Sequence, residues 1–213
     1  MSGTTATASA EFWEKHYRDA DPDWGIRPNA VLTDVVDGLS PAAGSALDLG
    51  CGHGGDALWL AAQGWRVTAV DVSATALRRV VSGAETAGVA DRVVAARHDL
   101  SRSFPDGAYD LVSACYFHSP VDIDRTEVLR RAAQTVTPGG LLLVVDHASI
   151  APWSWNAHGH TRFPTPQETL DGLRLDEGWH IERLVAAPRR ATGPDGQTAM
   201  VTDNVIALRS VRD

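Results

Sequence analysis

No run of apolar residues in this sequence approaches the roughly 20 needed to cross a bilayer, so no membrane-spanning helix is expected. Cysteine is nearly absent. Cys51 sits in a glycine turn and Cys115 inside an apolar run, which fits reduced thiols of an intracellular chain and not a disulfide framework. Basic excess is missing too: the net charge of -8 leaves no electrostatic footprint for nucleic acid or an anionic membrane surface. Residues Met1 to Ser9 carry neither a cationic start nor an apolar core, so they read as a disordered lead and not a secretory signal. Cytoplasmic residence is the default expectation. The 213 residues suffice for one domain with a sizeable core and are too few for two comfortable ones. There is no internal repeat and no linker long enough to divide them.

What is present is alternation. Ser9 to Ala20 has helical spacing, with Phe12, Trp13, His16 and Tyr17 on one side, and Asp21-Pro22-Asp23-Trp24-Gly25 breaks it. A second helix is expected from Pro28-Asn29 to Gly38 or Pro41. Then apolar strands and helices follow one another. The strand Ala46 to Leu49 precedes a helix Asp56 to Gln63, and the strand Trp65 to Val70 precedes a helix Ala74 to Ala87. The strand Arg92 to His98 is short, and Tyr109 to Phe117 is nearly all apolar, as expected with both faces covered. A helix Ile123 to Val136 closes at Pro138-Gly139-Gly140, ahead of a fifth strand Leu141 to Val145 that ends at Asp146-His147. The tail differs. Thr165-Pro166-Gln167-Glu168 opens a capped helix closed by Gly178, and Trp179 to Pro188 and Thr198 to Ser210 flank a Gly193-Pro194-Asp195-Gly196 turn as an antiparallel pair. The fold class predicted is α/β: a doubly wound, Rossmann-like, seven-stranded sheet, mostly parallel with an antiparallel C-terminal pair and helices on both faces.

The chemistry concentrates at Asp48-Leu49-Gly50-Cys51-Gly52-His53-Gly54-Gly55, between the first strand and its helix, with Asp71 after the second strand. Glycines let backbone approach a ligand closely, and the helix that follows offers unpaired N–H groups. An acidic residue about 20 positions on is placed to hold a ribose hydroxyl pair. The pattern is that of a nucleoside site. For a dinucleotide, the pyrophosphate would face the Asp48 carboxylate, and like charges a few ångströms apart cost on the order of several kcal/mol. S-adenosylmethionine has no phosphate and brings a sulfonium and an ammonium instead. Asp48 favours the cationic nucleoside; an NAD(P)-dependent oxidoreductase is the enzymatic alternative.

Leu47 to Gly54 is similar to the first motif of class I S-adenosylmethionine-dependent methyltransferases, Val70-Asp71-Val72-Ser73 to their second, Asp99-Leu100 to their third, and Pro138-Gly139-Gly140-Leu141 to the loop before their fifth strand. The block from Trp13 through Trp24-Gly25-Ile26-Arg27-Pro28-Asn29 resembles, more loosely, the small-molecule branch with tellurite-resistance and thiopurine methyltransferases. The resemblance implies a single methyltransferase domain over 1–213, with a lead at 1–8, a helical cap at 9–45, a donor-binding core at 46–148, and an acceptor loop and strand pair at 149–213. It implies S-adenosylmethionine as donor and S-adenosylhomocysteine as product, bound by Gly50, Cys51, Gly52, Asp71 at the ribose, Val72, and Asp99 and Leu100 at the adenine, with Asp48 nearby. Trp24 and Arg27 would close over the donor, Arg27 at its carboxylate, and Tyr116 would flank the sulfonium.

In-line methyl transfer rests largely on alignment, with a base needed only for a protonated nucleophile. Two histidines follow strands at the end where open parallel sheets bind ligands, His118 and His147, and each is a candidate base. Tyr116-Phe117-His118-Ser119-Pro120 lacks the Asn- or Asp-Pro-Pro-aromatic motif of methyltransferases acting on nucleobase amines, and Phe117 is read as core. His147, His158 and His160 lack supporting thiolates, so no catalytic metal is expected. The loop Pro152-Trp153-Ser154-Trp155 is read as pocket or lid for a small-molecule acceptor. Neither a nucleic-acid nor a membrane partner is expected; monomer and homodimer stay open, as does a non-catalytic donor-binding protein.

Overall fold

The structure, a computed structural model, describes residues 7–21, 25–121, 123–154, 162–193 and 195–212. The expectations placed on Trp24, Trp155, His158 and His160 lie outside the described residues. Two helices come first: α1 (Ala8–Asp19), capped by the Thr7 side chain, and α2 (Ala30–Leu39), capped by the Asn29 side chain. The alternating part follows as β1 (Ser45–Leu49), α3 (Gly55–Ala62), β2 (Arg66–Asp71), α4 (Ala74–Thr86), β3 (Val93–Arg97), β4 (Tyr109–Cys115), α5 (Arg125–Gln134) and β5 (Val136–His147). The chain ends with α6 (Pro166–Leu173), β6 (Trp179–Thr192) and β7 (Thr198–Ser210). Among the described residues no helix is long and apolar enough to cross a membrane.

One seven-stranded sheet orders these strands β3-β2-β1-β4-β5-β7-β6. Strands β1 to β5 pair in parallel, and β7 runs antiparallel to both β5 and β6. Successive side chains of a strand point to opposite faces, and here both faces are buried. Leu141, Leu143, Val145 and Ala207 join Leu32, Leu60 and Val80 of α2, α3 and α4 on one side. Leu142, Val144, Ile206 and Leu208 join Val128, Leu129 and Leu173 of α5 and α6 on the other. Each fully buried leucine is worth about 1.5–3 kcal/mol. Strand order reverses between β1 and β4, and their carboxyl ends part there to leave the crevice that open α/β sheets use.

The structure departs from the expected boundaries in a few places. Pro138-Gly139-Gly140 lies within β5 and does not merely precede it. The pairing jumps from Tyr109 with Val136 to Leu111 with Leu141, and the extra residues bulge out with Gly139 at φ +75°. Helix α6 stops at Leu173, well before Gly178, because Arg174 adopts a left-handed conformation and Arg130 donates to the Gly172 carbonyl at 2.7 Å. The capping box of α6 is present as read. Strand β4 ends at Cys115, so Tyr116 and Phe117 belong to the turn beyond it.

Candidate functional site

At the carboxyl edge the chain leaves β1 through Gly50 (φ +68°) and Gly52 (φ +53°), conformations that side chains rarely tolerate. Space is as short as conformation. A Cβ on Gly50 would stand 2.8 Å from the Phe117 ring, and one on Gly52 would stand 2.9 Å from the Tyr17 hydroxyl. The turn is held from β2: Asp71 accepts the Gly52 N–H at 3.1 Å with one oxygen and the Ser73 N–H at 2.9 Å with the other. Ser73, and not Asp71, caps α4. Burial pushes the Asp71 carboxyl up to about 6 despite those two donors.

A cavity opens over this turn. Gly50, Asp71, Val72, Asp99, Leu100, Tyr116 and His118 line it, together with Phe117, His98, Ser119 and Ile123. Asp99 follows β3 and accepts from the Ser101 N–H (3.1 Å) and hydroxyl (2.6 Å). Burial raises its carboxyl, but the Ser101 and Thr7 hydroxyls outweigh that and hold it below the usual range. Asp99 is thus both a turn residue and part of the cavity wall. Phe117, read as core from sequence, packs against the core and also lines the cavity over Gly50.

The remaining site candidates lie off this wall. Asp48 is 2% exposed and sits behind the turn, accepting from the Ser113 hydroxyl at 3.2 Å. Burial, followed by the neighbouring Asp56, pushes its carboxyl well above the usual range. The cavity wall therefore does not include the carboxylate on which the choice of nucleoside was argued. Cys51 is buried, its thiol pushed well up by burial and by Asp71. Arg27 is exposed, its backbone carbonyl lying against Gly55. His147 stands one ring away from the cavity, stacked on Tyr116 at 4.1 Å between centroids.

Helix α1 supplies what the sequence reading did not assign to the site. Ser9, Trp13 and Tyr17 line the cavity from outside the core. The helix is fastened by Thr7 to Asp99 (2.6 Å), by Trp13 to Ser119 (3.3 Å), and by Glu14 to Ser73 (2.7 Å) and Thr75 (2.6 Å). The available signal was the i,i+4 spacing of Trp13 and Tyr17, which puts two aromatics on one face.

Also missed were the carboxylates behind the two histidines. Asp146, 1% exposed, pairs with Arg125 and has its Oδ1 3.5 Å from His118 Nε2. Asp203, fully buried on β7, pairs with Arg189, accepts the Tyr116 hydroxyl at 2.9 Å, and faces His147 Nδ1 at 3.8 Å. Tyr116 itself is in a left-handed conformation (φ 52°), a strained position for a side chain this large. The strand run Thr202-Asp203-Asn204, polar within an apolar strand, was the overlooked sign.

A family profile described as a methyltransferase domain matches residues 46–140, the span from β1 into β5. Those residues make a methyltransferase domain. A curated relative of this methyltransferase core, the 27-O-demethylrifamycin SV methyltransferase of Amycolatopsis mediterranei, is 37% identical over 121 residues. That match takes in 54% of this chain and 43% of the relative, so the chain spans less than half of it. Among solved structures, one concerned with the conversion of a disulfide bond into a thioacetal group during echinomycin biosynthesis superposes at a TM-score of 0.72, with 24% identity, covering 94% of this chain and 92% of that one. Geranyl diphosphate C-methyltransferase from Streptomyces coelicolor A3(2), solved with Mg2+, geranyl diphosphate and S-adenosyl-L-homocysteine, superposes at 0.68 with 17% identity, covering 97% and 100%. At these identities the two structures speak for the fold of the methyltransferase chain.

Proposed function

We propose that this chain transfers a methyl group from S-adenosylmethionine to a small-molecule acceptor. One observation carries the reading: one cavity at the carboxyl edge is lined by Asp71 and Asp99 together with Tyr116 and His118. The wall fits the donor. Gly50 and Gly52 let the turn pass close under Phe117 and Tyr17, and the two strand-end carboxylates are acceptors of the kind that ribose hydroxyls and an adenine amino group require. When bound, S-adenosylmethionine supplies a methyl group already activated on a sulfonium.

In this reading Asp71 holds the ribose, Asp99 and Leu100 border the adenine, and Gly50 and Val72 form the floor, with Cys51 and Gly52 in the turn beneath it. Trp13 and Tyr17 exclude water from above. Tyr116 and Phe117 present ring faces beside the reacting methyl. Asp48 and Asp56 form an acidic patch behind the floor, and Arg27 and Trp24 retain the capping role that the resemblance suggests for them. The name of the rifamycin relative supports a small-molecule acceptor. Calorimetric titration tests the proposal: S-adenosylhomocysteine should bind, and Asp71→Asn should weaken it at least tenfold. Absence of binding at millimolar ligand, or NADH binding that survives Asp48→Ala, defeats it.

A further inference from the structure

The two candidate bases are built alike: His118 just beyond β4 and His147 at the last position of β5 each face a buried aspartate, and that aspartate pairs with an arginine. They differ in which carboxylate oxygen is free. His118 Nε2 faces Asp146 Oδ1, the same oxygen that takes the Arg125 guanidinium. His147 Nδ1 faces Asp203 Oδ1, whereas Arg189 and the Tyr116 hydroxyl both use Oδ2. Among the described residues, Asp203 Oδ1 has no hydrogen-bond partner although Asp203 is fully buried. A buried carboxylate oxygen without a donor is costly, and the ring N–H of His147 is the nearby group able to satisfy it. From these contacts we infer that Asp203 fixes His147 as the Nδ1–H tautomer, leaving its Nε2 lone pair as proton acceptor for a hydroxyl-bearing substrate, while His118 serves as a neutral hydrogen-bonding wall.

The surroundings agree. Tyr116 holds the stack from below, its ring 4.1 Å from that of His147 and nearly parallel, with Phe163 6.3 Å away edge-on. The Arg189 guanidinium also donates to the Tyr116 hydroxyl at 2.8 Å, so ring, carboxylate and cation form one rigid unit. Burial raises the Asp203 carboxyl, but His147, Arg189 and Tyr116 outweigh it and keep Asp203 below the usual range, hence ionised. For Asp146 burial wins over Arg125 and the carboxyl is raised. His118 is pushed down to about 4 by burial, Arg125 and His147, which makes it a poor proton acceptor. A half-exposed His147, with 45% of its side chain open, is accessible to a substrate beside the Tyr116 wall.

The substrate class does not follow from charge. Arg189 and Arg125 are each already paired, with Asp203 and Asp146, so the selection falls to the base: an acceptor that must lose a proton, such as a hydroxyl, is the one that calls on Nε2. In the transfer, the acceptor O–H bond breaks and its proton moves to His147 Nε2. The oxygen pair forms the new bond to the methyl carbon, and the pair of the broken carbon–sulfur bond stays on sulfur.

This inference rests on the methyltransferase reading, and the experiment separates the two. Nitrogen NMR of 15N-histidine-labelled chain reads each tautomer directly, without any substitution and without a donor. The expected result is His147 protonated at Nδ1 and bare at Nε2, with that preference lost in Asp203→Asn and kept in Asp146→Asn. An Nε2–H form of His147 in the unsubstituted chain overturns the inference, whether or not S-adenosylhomocysteine binds. With S-adenosylmethionine and a panel of simple phenols and alcohols, His147→Gln should slow S-adenosylhomocysteine release 100-fold or more, and His118→Asn less than tenfold. The reverse order overturns the division of roles. A chain that binds S-adenosylhomocysteine yet turns over no member of the panel overturns the hydroxyl assignment while leaving the donor reading intact.

Discussion

The Thr7 hydroxyl donates to Asp99 Oδ2 at 2.6 Å, joining the cap of the first helix to the end of the third strand across 92 residues of sequence. With the Glu14 contacts it lays α1 over the cavity from outside the span that carries the methyltransferase motifs. Thr7→Val removes that donor and, with it, the acceptor that caps the Ala10 N–H, so α1 should fray at its start and cover the cavity less well. S-adenosylhomocysteine affinity should fall about three- to tenfold, in line with the roughly 0.5–1.5 kcal/mol of one hydrogen bond. Calorimetry on the variant checks this, and unchanged or tighter binding contradicts it.

Acid should release the same helix. Hydrogen bonding from Thr75 is the largest influence on Glu14 and outweighs burial; with Ser73 and Arg18 it brings the carboxyl down to about 2. A group whose folded pKa lies below its unfolded value contributes stability above the unfolded value and loses it as pH falls. Docking of α1 therefore weakens between about pH 4.5 and 2, and Trp13 fluorescence should report it. Glu14→Gln should show the loosened state at neutral pH and lose most of that dependence.

Asp71 has the opposite sign. Its carboxyl is raised to about 6, so the folded chain takes up a proton that the unfolded chain releases, and the contribution to stability falls as pH rises from about 4 through 6. A ribose acceptor must be ionised. Affinity for S-adenosylhomocysteine should thus drop as pH is lowered through 6, approaching tenfold per unit, and Asp71→Asn should be weak and flat across the range. A profile in the unsubstituted chain that is level from pH 7.5 to 5 contradicts the assignment.

Gly50→Ala meets two obstacles at once. The left-handed backbone at φ +68° costs a Cβ about 1–2 kcal/mol, and the Phe117 ring stands 2.8 Å from where that Cβ falls. The double variant Gly50→Ala/Phe117→Ala removes the steric conflict and not the conformational one. Thermal melts should show the pair less destabilised than the sum of the single changes; simple additivity contradicts the contact.

Asp203 depends on its partners for burial. Arg189→Met leaves a buried carboxylate short of its cation and should cost about 3–5 kcal/mol, whereas Tyr116→Phe removes one neutral donor and should cost about 1–2 kcal/mol. Adding Asp203→Asn to Arg189→Met should restore part of the loss. Denaturant unfolding measures all three.

The α/β alternation was legible because β1, β2, β4 and the second half of β5 are near-continuous apolar runs bounded by glycine or an acidic residue, and both faces of the sheet are covered there. Asp71 and Asp99 were legible because they end strands β2 and β3 within motifs of fixed spacing. Asp203 was not, because its role depends on the antiparallel register of β7 with β5, which sets it beside His147 across 56 residues of sequence. The side-chain direction of Asp48 was equally hidden: the β1 pleat turns it toward Ser113 and Asp56, away from the cavity. The aromatic face of helix α1 did not assign Trp13 and Tyr17 to the site, because such a face looks the same whether it covers a core or a crevice.

Strand β5 ends its pairing with β7 at His147 and Asp203, yet β6 and β7 continue together from Pro188 with Thr202 to Thr192 with Thr198. That overhang leans on Trp153 through Gly193, leaves Met200 67% exposed, and carries Arg189 at its root. Thr202 ties it to the Ala148 N–H and the Ser149 hydroxyl, and Ala191 and Val201 are buried, so only its exposed positions, such as Met200, can be exchanged at little expense to the sheet. The overhang beside the candidate base is thereby fixed at its root by Arg189 and Thr202 and open to change on its Met200 surface.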